Sequence, residues 1–253
     1  MAKLIGTIRI RGTIDNMTFL ETKYGMLVRK RRRQIPKEVF RNDPVNKRFM
    51  ENSTEFGHAA RSARLFRTVV ADAMLNCSDK EITGRLVSSM MKVVKSDAVN
   101  RRGSRNIMKG QSALMKDFNF NQPAELSMVF KKAISTMMDR SSGKMVMILP
   151  GFVPEEAIAW PPGTTHFRFH SLAAEINFDT GYYRIKQYES GPLRNDDFQP
   201  IVPISFIHEL TPNSTNPIFL LLGIRFYELM NGYYYPFKNN AFNALSIVDA
   251  GSV

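Results

Sequence analysis

The spacing of apolar residues changes twice along this 253-residue chain, and each change restricts the folds open to it. In the first thirty residues apolar and polar side chains alternate, as in "KLIGTIRIRGTI", where Ile8, Ile10 and Ile14 are interleaved with Arg9 and Arg11. From Pro44 the apolar spacing is three to four: Phe49, Ser53, Phe56, Ala60, Ala63, Phe66, Val70 and Met74. After Gly143 it returns to short strand-like runs. A period of two marks a half-buried strand and a period near 3.6 an amphipathic helix. The pattern therefore predicts an α+β chain in three parts: a strand-forming basic N-terminal arm over 1–35, a helical region over 36–142, and an antiparallel β-sandwich-like domain over 143–253.

Within the arm, "NMTFLET" and "GMLVRK" continue the strand pattern, broken at Gly12, Asp15-Asn16 and Tyr24-Gly25. Two or three short strands cannot bury a core by themselves. Ile8, Ile10, Ile14 and Phe19 are thus expected to pair or pack with another sheet, in the same chain or in a neighbouring copy. In the helical region, Asn42 or Asp43 can cap the first helix ahead of Pro44, and Ser78 with Glu81 has capping-box spacing before Ile82, Leu86, Met90 and Val93. The spacing predicts a third helix through Ile107, Leu114, Met115 and Phe118. A fourth is predicted from near Pro123, carrying Leu126, Phe130, Ala133 and Met137 and closed by "RSSG". Later, Asn231-Gly232 between aromatic-rich runs is a two-residue hairpin signal.

Charge is unevenly placed. Residues 1–120 hold 25 Lys+Arg against 11 Asp+Glu, whereas the remainder holds 10 against 12. An excess of 14 on one half points to a polyanion or an acidic protein surface as a partner. The set that would meet it is Arg29, Lys30, Arg31, Arg32, Arg33, Arg61, Arg64, Arg101, Arg102 and Arg105. Arginine suits bidentate contact with phosphates or carboxylates. Internal or intersubunit counter-charge is offered by Glu155-Glu156 and Asp196-Asp197.

Catalytic patterns are missing. The phosphate-binding, dinucleotide, nucleophile-elbow and zincin motifs do not occur. His166 and His170 in "HFRFH" would share one strand face with Arg168, and an arginine between two ligands opposes a cation. The one cysteine, Cys77, permits no internal disulfide framework. The tyrosines of "GYYYPF" fit an alternating hairpin strand better than a base-stacking platform. No catalytic residue, metal site or cofactor is therefore expected. With no secretory leader pattern and no apolar run of spanning length, the default compartment is cytoplasmic, and a non-classical export route stays open.

"GTIDNMTF" (12–19), "MLVRK" (26–30) and "NDPVNKRFMENSTEFGHAARSARLFR" (42–67) resemble the N-terminal pattern of an uncharacterised bacterial protein family. The resemblance covers about the first quarter of the chain. It implies a bacterial origin and transfers no catalytic residue.

These readings lead to an expected function: a non-enzymatic structural protein that forms a homo-oligomer or filament through its arm and sandwich. Sequence-nonspecific nucleic-acid packaging is the alternative, and an enzyme with an unrecognised site is the third.

Overall fold

The computed structural model describes residues 2–3, 10–31, 36–195, 199–238 and 241–251. The fold mixes helix with antiparallel sheet. The chain divides into two compact units, residues 1–50 and 51–253, so the helical stretch after residue 50 and the sheets after residue 143 belong to one body.

The first unit holds a four-stranded antiparallel sheet of β1 (Ala2–Lys3), β2 (Gly12–Ile14), β3 (Met17–Thr22) and β4 (Gly25–Lys30), in the order β1-β4-β3-β2. A short helix α1 (Lys37–Asn42) and a 3-10 turn (Pro44–Asn46) follow. Asp43, one of the two expected capping residues, caps that turn rather than the long helix, its Oδ1 accepting from Val45 N at 2.9 Å. Next comes the long helix α2 (Lys47–Val69).

In the second unit, α2 buries Glu55, Ala59, Ser62, Ala63, Phe66 and Val69. The predicted stripe is met by Ala63, Phe66 and Val70, while Phe56 is exposed. The helix is rotated relative to the prediction because Glu55 takes a core position through an internal arginine, and small residues at 59, 62 and 63 allow close approach to the neighbouring layer. Helix α3 (Ala71–Met74) and α4 (Ile82–Lys95) come next. All four expected apolar positions of α4, Ile82, Leu86, Met90 and Val93, are buried.

The predicted third and fourth helices do not form. Their residues make a 3-10 turn (Ser112–Met115), a single-turn helix α5 (Leu126–Val129) and a strand β5 (Ser135–Asp139). Long-range pairing overrides the local spacing. Phe118 O accepts from Ile247 N, Phe120 N donates to Leu245 O, and Phe130 bridges Ile158. Strand β5 pairs with β6 (Lys144–Leu149), so "RSSG" is a hairpin turn rather than a helix end.

Another single-turn helix, α6 (Pro154–Ala157), leads to the main sheet. Its centre is β7 (His166–Ile176) against β11 (Ile218–Met230), antiparallel from Ile218↔Glu175 to Tyr227↔His166. β8 (Tyr183–Glu189) and β9 (Leu193–Arg194) line the far side of β7, while β12 (Tyr233–Pro236) and β13 (Ala244–Gly251) line β11. β10 (Ile204–Glu209) joins β6 and β5 in a separate three-stranded sheet ordered β10-β6-β5. The Asn231-Gly232 turn has φ of 51° and 81°, the left-handed pair that a tight hairpin needs and that Asn and Gly tolerate.

Helices α2 and α4 cover one face of the six-stranded sheet through Phe66, Leu86, Leu172, Phe219 and Leu221. The three-stranded sheet covers the other through Met145, Met147, Phe206, Phe167, Phe169 and Leu222. Covered on both faces, β11 is buried without a break from Ile218 to Ile224, which is why "IFLLLGI" shows no alternation. The antiparallel sheet is curled. Tyr188 on β8 lies against His208 on β10, ring centroids 5.1 Å apart, and Thr136 on β5 donates to Asp249 Oδ2 on β13 at 2.8 Å.

Candidate assembly surface and basic residues

Among the described residues, the sheet of the first unit has no core. None of its described residues from 10 to 50 is buried. Register fixes what each face carries, because cross-strand partners point the same way. One face has the rows Ile14–Met17–Lys30, Gly12–Phe19–Val28 and Glu21–Met26. The other has Thr13–Thr18–Arg29, Leu20–Leu27 and Thr22–Gly25. The first is therefore an apolar face flanked by a lysine at one end and a glutamate at the other. Ile14 and Met17 on it are 55% and 50% exposed. Among the residues expected to drive assembly, Ile14 and Phe19 fall on this face, Ile10 lies just before β2, and Ile8 is outside the described residues.

The basic residues separate into three groups. Arg29 and Lys30 project from opposite faces of β4, and Arg31 follows it, its backbone N donating to Asn16 O at 2.6 Å. Arg32 and Arg33, like Asp196 and Asp197, are outside the described residues. Arg61, Arg64 and Arg101 are exposed in the second unit and have no carboxylate partner among the described residues. Arg102 and Arg105 have polar partners within the chain, Arg102 at the surface and Arg105 largely enclosed. Arg102 donates to Asn52 Oδ1 at 2.8 Å and lies 3.5 Å from Glu51. Arg105 grips the wholly buried Glu55, and that bond, together with the Gly103 N–H, holds the Glu55 carboxyl below its usual range.

Three polar clusters come from separate elements, so no local sequence signal announces them. A cleft of about 300 Å³ is lined by Asp72, His170, Gln187, Glu189 and Arg225. Arg225 donates to the Asp72 and Ala73 carbonyls and so ties the end of α3 to the sheet. Burial beside Arg225 pushes the His170 pKa down to about 3. His166, Arg168 and His170 do share one face over fully buried Phe167 and Phe169, but both imidazoles are themselves buried. Arg168 stacks on Tyr227 and Tyr234 and bonds Glu189 at 3.0 Å. Secondly, Ser171 Oγ and His208 Nε2 are 2.7 Å apart and wholly enclosed, so this pair fastens β7 to β10. Thirdly, a cleft of about 700 Å³ is lined by Leu126, Phe130, Ile134 and Val248 together with Lys116, Lys131, Lys132 and Glu125.

Cys77 is buried and its thiol is pushed up to about 11 by desolvation, which leaves it unreactive. Among the described residues no three His, Cys, Asp or Glu side chains converge as metal ligands. Among them, too, no helix is long and apolar enough to cross a membrane. No family model, curated protein or solved structure gives a significant match to this chain.

Proposed function

We propose that this is a non-enzymatic structural protein that assembles into homo-oligomers or filaments. The N-terminal sheet acts as the connecting arm, and the helix-covered sheets act as a rigid sandwich-like body. The observation that carries this reading is a four-stranded sheet with an apolar face and no buried residue among those described in 10–50. Sheets of this size need a covered face for stability, and a neighbouring copy supplies one. The test is light scattering after size exclusion on nuclease-treated protein, with the full chain and a chain lacking residues 2–35. The full chain should run as an assembly and the truncated one as a folded monomer. Equal behaviour of the two would remove the arm from the assembly.

A second reading, sequence-blind binding of nucleic acid, is favoured by Arg61, Arg64 and Arg101, which are exposed and unpaired with any described carboxylate. Contacts of this type go to phosphates and carry no sequence information. The two readings are compatible in one coat-forming protein.

A further inference from the structure

The second unit has its own uncovered apolar sheet face. On the side of β10-β6-β5 turned away from the core, the register gives three rows: Ser135–Ile148–Ser205, Met137–Val146–Ile207 and Asp139–Lys144–Glu209. Met137, Ile148 and Ile207 are 57%, 41% and 52% exposed, and Val146 is half-buried. The opposite side of the same strands, Met145, Met147, Leu149 and Phe206, is buried in the core. This sheet is therefore apolar on both faces, which a sheet with one solvated side does not need. Exposed contiguous apolar patches with a polar rim mark interaction sites.

We propose that this outer face receives the apolar face of the N-terminal sheet from a second copy of the chain. The proposal rests on the self-assembly reading and names the surface that the arm meets. Three features match. Both faces are three residue-rows long, with a two-residue repeat of ~7 Å between rows. Each has an apolar middle, Phe19 and Val28 on one, Met137, Val146 and Ile207 on the other. The charges select one orientation. Lys30 ends one face and Glu21 the other end, while the receiving face ends in Asp139, Lys144 and Glu209 on one side and in Ser135 and Ser205 on the other. Placing the Lys30 end over Asp139 and Glu209 sets opposite charges together and leaves Glu21 over serines. The reverse orientation brings Glu21 against a row of two carboxylates and one lysine, which is net negative. The two surfaces differ, so the contact is head-to-tail, and repeating it gives rings or open filaments rather than closed dimers.

A mixing experiment tests this. Ile14→Glu with Met17→Glu disables the arm face, and Val146→Glu with Ile207→Glu disables the receiving face; all four positions are at least partly exposed, and circular dichroism checks that each variant keeps the fold. Ile148→Lys is a second, independent variant of the receiving face. Each variant alone should be monomeric after nuclease treatment. The arm-face and receiving-face variants mixed one to one should give dimers and nothing larger, because one intact arm meets one intact receiver. If the receiving-face variants assemble like the wild type, the arm docks elsewhere and this inference falls while self-assembly stands. If the mixture stays monomeric, the two faces do not meet. A wild-type chain that is monomeric overturns both readings.

Discussion

Arg105 holds Glu55 with two parallel bonds, Nε to Oε1 at 2.7 Å and Nη2 to Oε2 at 2.8 Å, and the carboxylate side chain is wholly buried. Gly103 N adds a third bond to Oε1 at 2.7 Å. The pair fixes the loop after α4 against α2, with Arg105 Nη1 also reaching the Lys95 carbonyl at 3.2 Å. Replacing Arg105 with Met should destabilise the second unit by about 3–5 kcal/mol, since it leaves a buried charge uncompensated. Glu55→Gln in the Arg105→Met background should recover part of that loss. Urea unfolding at neutral pH for the two single variants and the double variant measures the coupling.

Gly223 lies directly across from His170 in the central strand pair, and its missing side chain makes room for the imidazole. A Cβ at 223 would run into His170 Cε1 and Nε2 and lie 2.9 Å from the Ala244 carbonyl. Gly223→Ala should cost about 1–3 kcal/mol by overpacking. His170→Ala in that background should restore part of it. The remainder should persist because the Ala244 contact is backbone. Thermal melts of the two single variants and the double variant decide this; full recovery would mean the backbone contact relaxes freely.

Sequence spacing was a good guide where one element meets one layer. The α4 stripe and the Asn231-Gly232 hairpin formed as expected, because each depends on local geometry. Leu126, Phe130, Ala133 and Met137 were misleading for a physical reason. Spacing of four satisfies a helix, but Phe130 is captured by Ile158 and the following residues by β6, partners far along the chain that a local window does not contain. The alternation marked strands correctly at Gly12–Ile14, Met17–Thr22 and Gly25–Lys30, while residues 4–9 lie outside the described ones; yet alternation does not say what covers a face. Arginines were equally ambiguous: Arg61 and Arg105 read alike in sequence, and only the position of Glu55 separates an exposed cation from an internal one.

That separation makes the nucleic-acid reading specific. Binding of mixed-sequence duplex DNA should weaken with salt at a log–log slope of about −0.9 per phosphate neutralised. Replacing Arg61, Arg64 and Arg101 together by Ser should reduce the slope, while Arg102→Ser should leave it nearly unchanged because that side chain is held by Asn52 and Glu51. Fluorescence anisotropy across a salt series gives both slopes. Equal slopes for the wild type and the triple variant would assign these arginines to protein contacts.

Two enclosed imidazoles should make the second unit sensitive to mild acid. Burial lowers the His208 pKa to about 4 and the His170 pKa to about 3, from an ordinary value near 6.5. The folded chain therefore keeps both rings neutral at pH values where the unfolded chain has protonated them. Proton uptake favours the unfolded state, so stability is highest above about pH 6.5 and falls as pH drops below it. Each histidine contributes about 1.4 kcal/mol per pH unit, down to its folded pKa. The lowered carboxyls, Glu55, Asp79, Asp97 and Glu175, act the same way only at lower pH, below the ordinary carboxylate range. The window between about pH 6 and 5 thus reports on the histidines. Urea unfolding at pH 7, 6 and 5 should show a decline of about 2–3 kcal/mol per unit across its lower part. His208→Gln should roughly halve that slope, whatever it does to stability at pH 7. A slope unchanged by the substitution would mean that His208 already titrates normally in the folded state.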